Sequence, residues 1–102
     1  MKKTFQLTHP TIKYPRQIEA VKHEIRKYVK RERKRTLSDG ADYWDFDCRF
    51  GDTEAEAEPV HLAEITKRID DIAERGLTSF YVEVLRREAT RRKTVKEDTE
   101  NS

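Results

Sequence analysis

Apolar and polar residues alternate over Lys3-Thr4-Phe5-Gln6-Leu7-Thr8, the pattern of a short strand with one buried face. His9-Pro10 ends that run, because proline disfavours further pairing. Ile18, Val21, Ile25, Tyr28 and Val29 then recur at helical spacing. This stripe predicts a helix over about residues 15–35, with Pro15 in its first turn, where the missing N–H costs nothing. Ser38-Asp39-Gly40 carries turn chemistry. The clearest strand follows: Trp44, Phe46, Cys48 and Phe50 point one way, and Tyr43, Asp45, Asp47 and Arg49 the other, up to Gly51-Asp52. An acidic, alanine-rich approach leads to Pro59, read as the first position of a second helix whose apolar stripe is Val60, Leu62, Ile65, Ile69 and Ile72. Gly76 suits a left-handed helix end, with Leu77 placed for the accompanying apolar contact. A last strand over Ser79–Leu85 sets Phe80, Val82 and Val84 against Tyr81, Glu83 and Leu85.

Each strand has one apolar and one polar face. A sheet covered on both sides would instead show continuous apolar runs, so both helices belong on one face. The expected fold class is α+β, a two-layer sandwich in β-α-β-α-β order with a three-stranded sheet. Parallel strands in order 1-2-3 and antiparallel pairing are both open. Residues 1–86 form one domain in this reading, and residues 87–102 a disordered charged tail.

Composition adds a second layer. Of 102 residues, 41% are charged and 34% hydrophobic, so the core must be small. No run approaches the length of a membrane span, and the polar start is unlike a secretory leader, so a cytoplasmic protein without a membrane role is expected. A single cysteine, Cys48, excludes an internal disulfide and is read as a small core hydrophobe.

The net charge of +2 hides segregation. Residues 13–36 hold ten Lys/Arg against Glu19, Glu24 and Glu32, and residues 37–59 hold eight Asp/Glu against Arg49. Either the two blocks neutralise each other, within the fold or across a dimer, or the basic block faces a polyanion.

The runs Lys2-Lys3-Thr4-Phe5-Gln6-Leu7, Val21 to Tyr28 with Lys30-Arg31-Glu32-Arg33, Trp44 to Gly51, and Ser79-Phe80-Tyr81-Val82-Glu83 resemble a family of small bacterial single-domain proteins of unknown function. The resemblance spans residues 1 to about 86. It implies bacterial origin and a stand-alone domain, and it brings no catalytic residues with it.

The leading functional expectation is a binding module, not an enzyme. Arg26, Lys30 and Arg33 on one flank of the first stripe, and Lys27, Arg31, Lys34 and Arg35 on the other, could neutralise phosphates of RNA or DNA. The plain alternative is a solvated helix face, with cations suited to the helix C-terminus. The rival function is a protein-interaction or homodimerisation module using a sheet edge or the polar sheet face, through Tyr43, Arg49, Tyr81 and Glu83. Arg49 against Glu83 is equally an ordinary cross-strand pair. Asp45, Asp47 and Glu83 could hold a hard cation, and His61 and Glu64 have ligand-like spacing. Neither pattern comes with a nucleophile, a phosphate loop or a complete ligand set, so no metal, cofactor or catalytic residue is expected.

Overall fold

The computed structural model describes residues 1–91. The chain runs β1 (Lys2–Gln6), α1 (Tyr14–Glu32), β2 (Tyr43–Gly51), β3 (Glu58–Val60), α2 (Ile65–Glu74) and β4 (Ser79–Ala89). Short 3-10 turns lie at Glu54–Glu56 and Leu62–Glu64. The fold is α+β. The sheet has four strands rather than the three expected, in order β1-β4-β2-β3 with every neighbouring pair antiparallel. The last strand therefore lies between the first two. β1 and β2 run parallel with β4 between them, and β3 and β4 run parallel with β2 between them. Each helix crosses over an intervening strand, so neither helix links neighbours, and parallel order 1-2-3 is excluded.

The extra strand explains the error at Pro59. Glu58–Val60 is not a helix start but an edge strand pairing Arg49 with Pro59 and Cys48 with Val60. Proline's fixed φ and absent donor suit an edge strand as well as a helix N-terminus. A three-residue strand also leaves no alternation to read. The α-helical stripe of α2 begins only at Ile65 and buries Ile65, Ile69 and Ile72. At its other end, Leu77 N–H donates to the Ile72 carbonyl (3.2 Å) and Gly76 N–H to Ala73 (3.0 Å), with Gly76 at φ 67°. That is the Schellman closure expected from Gly76-Leu77.

α1 starts one residue before Pro15 and ends at Glu32. Arg33, Lys34 and Arg35 lie in the turn that follows, their N–H groups bonded to the Val29, Arg31 and Glu32 carbonyls. β4 runs four residues beyond Leu85, because β2 pairs with it from Gly51↔Tyr81 to Tyr43↔Ala89. Residues 87–89, expected in the tail, are thus strand, and residues 92–102 lie outside the described residues.

Both helices cover one face of the sheet, as the strand patterns require. The core joins Ile18, Val21, Ile25 and Val29 of α1 and the α2 isoleucines to Phe5, Phe46, Cys48, Phe50, Phe80, Val82 and Val84. Phe80 sits between Phe5 and Phe50, with ring centroids 5.5 and 4.9 Å away. Fully burying such a side chain contributes about 1.5–3 kcal/mol, so this aromatic row is a main anchor of the sheet. The opposite face is partly capped. Gly51 and Tyr81 pair across β2 and β4, and a Cβ on Gly51 would meet the Ala57 backbone at 2.7 Å. The segment 52–57 therefore rests on the strands there and buries Tyr81. No helix among the described residues is long and apolar enough to cross a membrane.

Candidate nucleic-acid interface

α1 presents two flanks because its buried stripe faces the sheet. All seven predicted cations, Arg26, Lys27, Lys30, Arg31, Arg33, Lys34 and Arg35, are exposed. The structure divides them between two grooves. Arg26, Lys30, Arg33 and Lys34 line a groove of about 530 Å³ between α1 and α2. Arg31, Lys34 and Arg35 border a second, of about 580 Å³, with Trp44 and Arg86. Lys34 belongs to both. Lys27 stands with Arg31 beside His23 and Tyr28.

The acidic block does not neutralise this helix. Arg87 takes Asp45 (2.9 Å) and Asp47 (3.0 Å), Arg75 takes Asp52 (2.9 Å), and Arg68 takes Glu58 (3.0 Å). Hydrogen bonding to Arg75 holds the Asp52 carboxyl below the usual carboxylate range. The acids of α1 itself are also engaged: Glu24 pairs with Lys3, and Glu19 with Lys22, which Asp70 also holds at 2.5 Å. Hydrogen bonding to Asp70 raises the Lys22 ammonium above its ordinary value. Among the described residues, no ion pair involves Arg26, Lys27, Lys30, Arg33 or Lys34. Arg33 lies over the Phe46 ring, with its guanidinium carbon 5.5 Å from the centroid.

Glu32 organises the end of the helix, and the sequence reading missed it. Its side chain is 4% exposed and accepts from Arg35 Nε at 3.1 Å and from Arg86, with Arg31 Nε at 3.7 Å. Burial alone would raise this carboxyl; the charges of Arg35 and Arg86 outweigh it and hold the carboxyl below its ordinary value. Arg86 also lies over the Trp44 ring at 5.2 Å, and Trp44 Nε1 donates to the Arg35 carbonyl at 2.8 Å. The 33–35 turn is thereby tied to β2 and β4. A signal was available: Glu32 follows Val29 by three and Ile25 by seven, on the buried stripe itself. Lys22, also buried, follows Ile18 by four on the same stripe.

The polar sheet face departs from expectation at one position. Tyr43 and Leu85 are exposed (37% and 39%), but Tyr81 is only 4% exposed beneath the 52–57 segment. Its hydroxyl donates to Glu83 Oε2 at 2.7 Å, and that bond, with burial behind it, pushes the phenol up to about 12. Arg49 and Glu83 are directly opposite in register, yet Arg49 donates to the Ala57 carbonyl at 2.5 Å. It thus clamps the segment that covers Tyr81. Asp45 and Asp47 are bridged by one guanidinium rather than left open to a cation. Among the described residues, no group of three or more His, Cys, Asp or Glu is arranged to hold a metal ion. Cys48 lies in the core, where burial raises its thiol to about 11.

The chain as a whole matches one family model, over residues 1–95, and belongs to that family of unknown function, DUF6172. No curated protein and no solved structure matches it.

Proposed function

We propose that this protein is a cytoplasmic binding module, not an enzyme, that holds RNA or DNA through the C-terminal half of α1 and the turn after it. One observation carries the reading. The acidic block pairs with Arg68, Arg75 and Arg87, so Arg26, Lys27, Lys30, Arg33 and Lys34 keep no carboxylate partner among the described residues, while Arg31 stays beside Glu32. Internal ion pairs would have fitted mutual neutralisation of the basic and acidic blocks; leaving these cations uncompensated favours an external polyanion. Binding of this kind reads phosphates, not bases.

The test is fluorescence anisotropy with a single-stranded RNA and a duplex DNA at two salt concentrations. With four phosphates neutralised, duplex affinity falls roughly 150-fold between about 50 and about 200 mM salt. Lys27→Gln/Lys30→Gln/Lys34→Gln removes three cations and leaves the Glu32 cluster intact; it should weaken binding to all sequences alike and flatten the salt slope. Unchanged affinity in that variant overturns the proposal.

The exposure of Tyr43 and Leu85 on the uncapped sheet face favours one second reading, a protein-interaction surface. The sheet edges support it less. β3 is three residues long and contains Pro59, and β1 carries Lys2 and Lys3, features that discourage edge pairing. Sedimentation analysis of Tyr43→Ser/Leu85→Ser addresses it: a wild-type dimer lost in the variant supports self-association, and a monomer throughout removes it.

A further inference from the structure

The groove between α1 and α2 has a feature that phosphate binding does not use. Its floor is apolar, made by half-buried Leu62 and the outer edges of the buried Ile25, Val29, Ile65 and Ile69. Its rim is cationic on the α1 side only, through Arg26, Lys30, Arg33 and Lys34, while the facing residue of α2, Thr66, is exposed and uncharged. A phosphodiester backbone gains nothing from an aliphatic floor. A ligand that satisfies both parts has an apolar stripe and flanking negative charge.

The spacing of the cations selects among such ligands. Arg26 and Lys30 stand one helical turn apart on α1, about 6 Å at the helical rise, and Lys34, in the turn after the helix, continues the rim. A small amphiphile with one anionic head needs a single cluster of cations. Two cations one helical turn apart, with more along the same rim, match carboxylates spaced at one helical turn. We infer that this groove seats an amphipathic helix of a protein partner, its apolar stripe on the Ile25–Ile69 floor and its acidic flank along Arg26, Lys30 and Lys34. The arrangement is helix-in-groove recognition, with flanking charges fixing orientation as they do between paired helices. The visiting helix completes a three-helix layer on the covered face of the sheet. This inference shares the α1 cations with nucleic-acid binding and differs from it by the apolar floor, on which that binding does not depend.

The experiment uses the full chain and a fluorescein-labelled synthetic helix with leucines at i, i+3, i+4 and i+7 and glutamates on one flank. Two control peptides replace the leucines by serine or the glutamates by lysine. Thr66→Trp fills the groove from an exposed position and removes no cation. Lys30→Glu reverses one charge in the row. The parent peptide should bind, and each control peptide and each variant should weaken binding by about tenfold or more. RNA affinity should be unchanged in Thr66→Trp, which separates this inference from the polyanion reading. Equal binding of the serine peptide, insensitivity to Thr66→Trp, or no binding of the parent peptide overturns it. So does occupation by dodecanoate when the peptide fails, which assigns the groove to a small anionic amphiphile. A concentration-dependent dimer lost in Thr66→Trp also overturns it, assigning the groove to a second copy.

Discussion

A single methyl group at position 51 is expected to destabilise this domain by about 2 kcal/mol, within the usual cost of overpacking. Gly51 ends β2, opposite Tyr81. A Cβ there would lie 2.7 Å from Ala57 Cα, Ala57 N and Glu56 C, where ordinary contact begins near 3.4 Å. All three obstructing atoms are backbone, so no side-chain rotation relieves them. The 52–57 segment must lift or the strand end must bend. Gly51 has no positive φ, unlike Gly40 and Gly76, so the cost is steric and not torsional. For a domain of this size, about 2 kcal/mol lowers the melting temperature by about 8–16 °C. The assay is thermal unfolding of Gly51→Ala followed by circular dichroism, with the tyrosine ionisation curve as a second readout. Lifting the segment hydrates Tyr81 and brings its pKa back toward the ordinary tyrosine value. A melting temperature within about 2 °C of wild type, with an unchanged ionisation curve, would refute the close approach, since a shift that small corresponds to under about 0.5 kcal/mol. Gly76→Ala is the contrasting case. It meets open space but forces alanine to φ 67°, costing about 1 kcal/mol with no effect on Tyr81 ionisation.

Other outcomes follow from the polar contacts. In spectrophotometric titration, Tyr81 should ionise near pH 12. Its folded pKa lies above the unfolded value, so its contribution to stability is complete below about pH 10 and is lost as pH rises through about 12; Tyr81→Phe should abolish that alkaline loss. Glu32→Gln should lower the melting temperature at neutral pH by leaving Arg35 and Arg86 without their carboxylate. Because the folded Glu32 pKa is depressed, wild type should converge on the variant as pH falls through that value, and a constant gap across the acid range would refute the pairing. Cys48, buried and raised to about 11, should resist iodoacetamide at pH 8 in the native protein and react readily in denaturant.

Elements longer than two turns of helix, or five residues of alternating strand, were legible because burial imposes a period on them. The Ile18–Val29 stripe and the Trp44–Phe50 alternation placed α1 and β2, and the one-faced strands placed both helices on one side. Gly76-Leu77 announced its own helix end because only a residue tolerant of positive φ closes that motif cheaply. Glu58–Val60 was illegible because three residues cannot display a period and Pro59 serves two structures equally well. Strand order was illegible for a different reason: alternation reports which face a residue takes, never which strand lies beside it. The candidate site followed the same division. The basic run stood out in composition, whereas the pairing of the acidic block with Arg68, Arg75 and Arg87 depends on strand order. The burial of Tyr81 depends on a loop that crosses the polar face, which strand periodicity does not report.

The central position of β4 sets the order in which the molecule can assemble during synthesis. Until Ser79–Ala89 leaves the ribosome, β1 has no neighbour to pair with, and the first 78 residues contain only the short β2–β3 pairing. The helices meanwhile expose apolar stripes meant for a sheet that does not yet exist. Closing β1 onto β4 joins residues about 80 positions apart, a contact of the kind that slows folding. A nascent chain of this protein should therefore be aggregation-prone until its final strand arrives, with chaperone dependence falling once residue 89 is exposed.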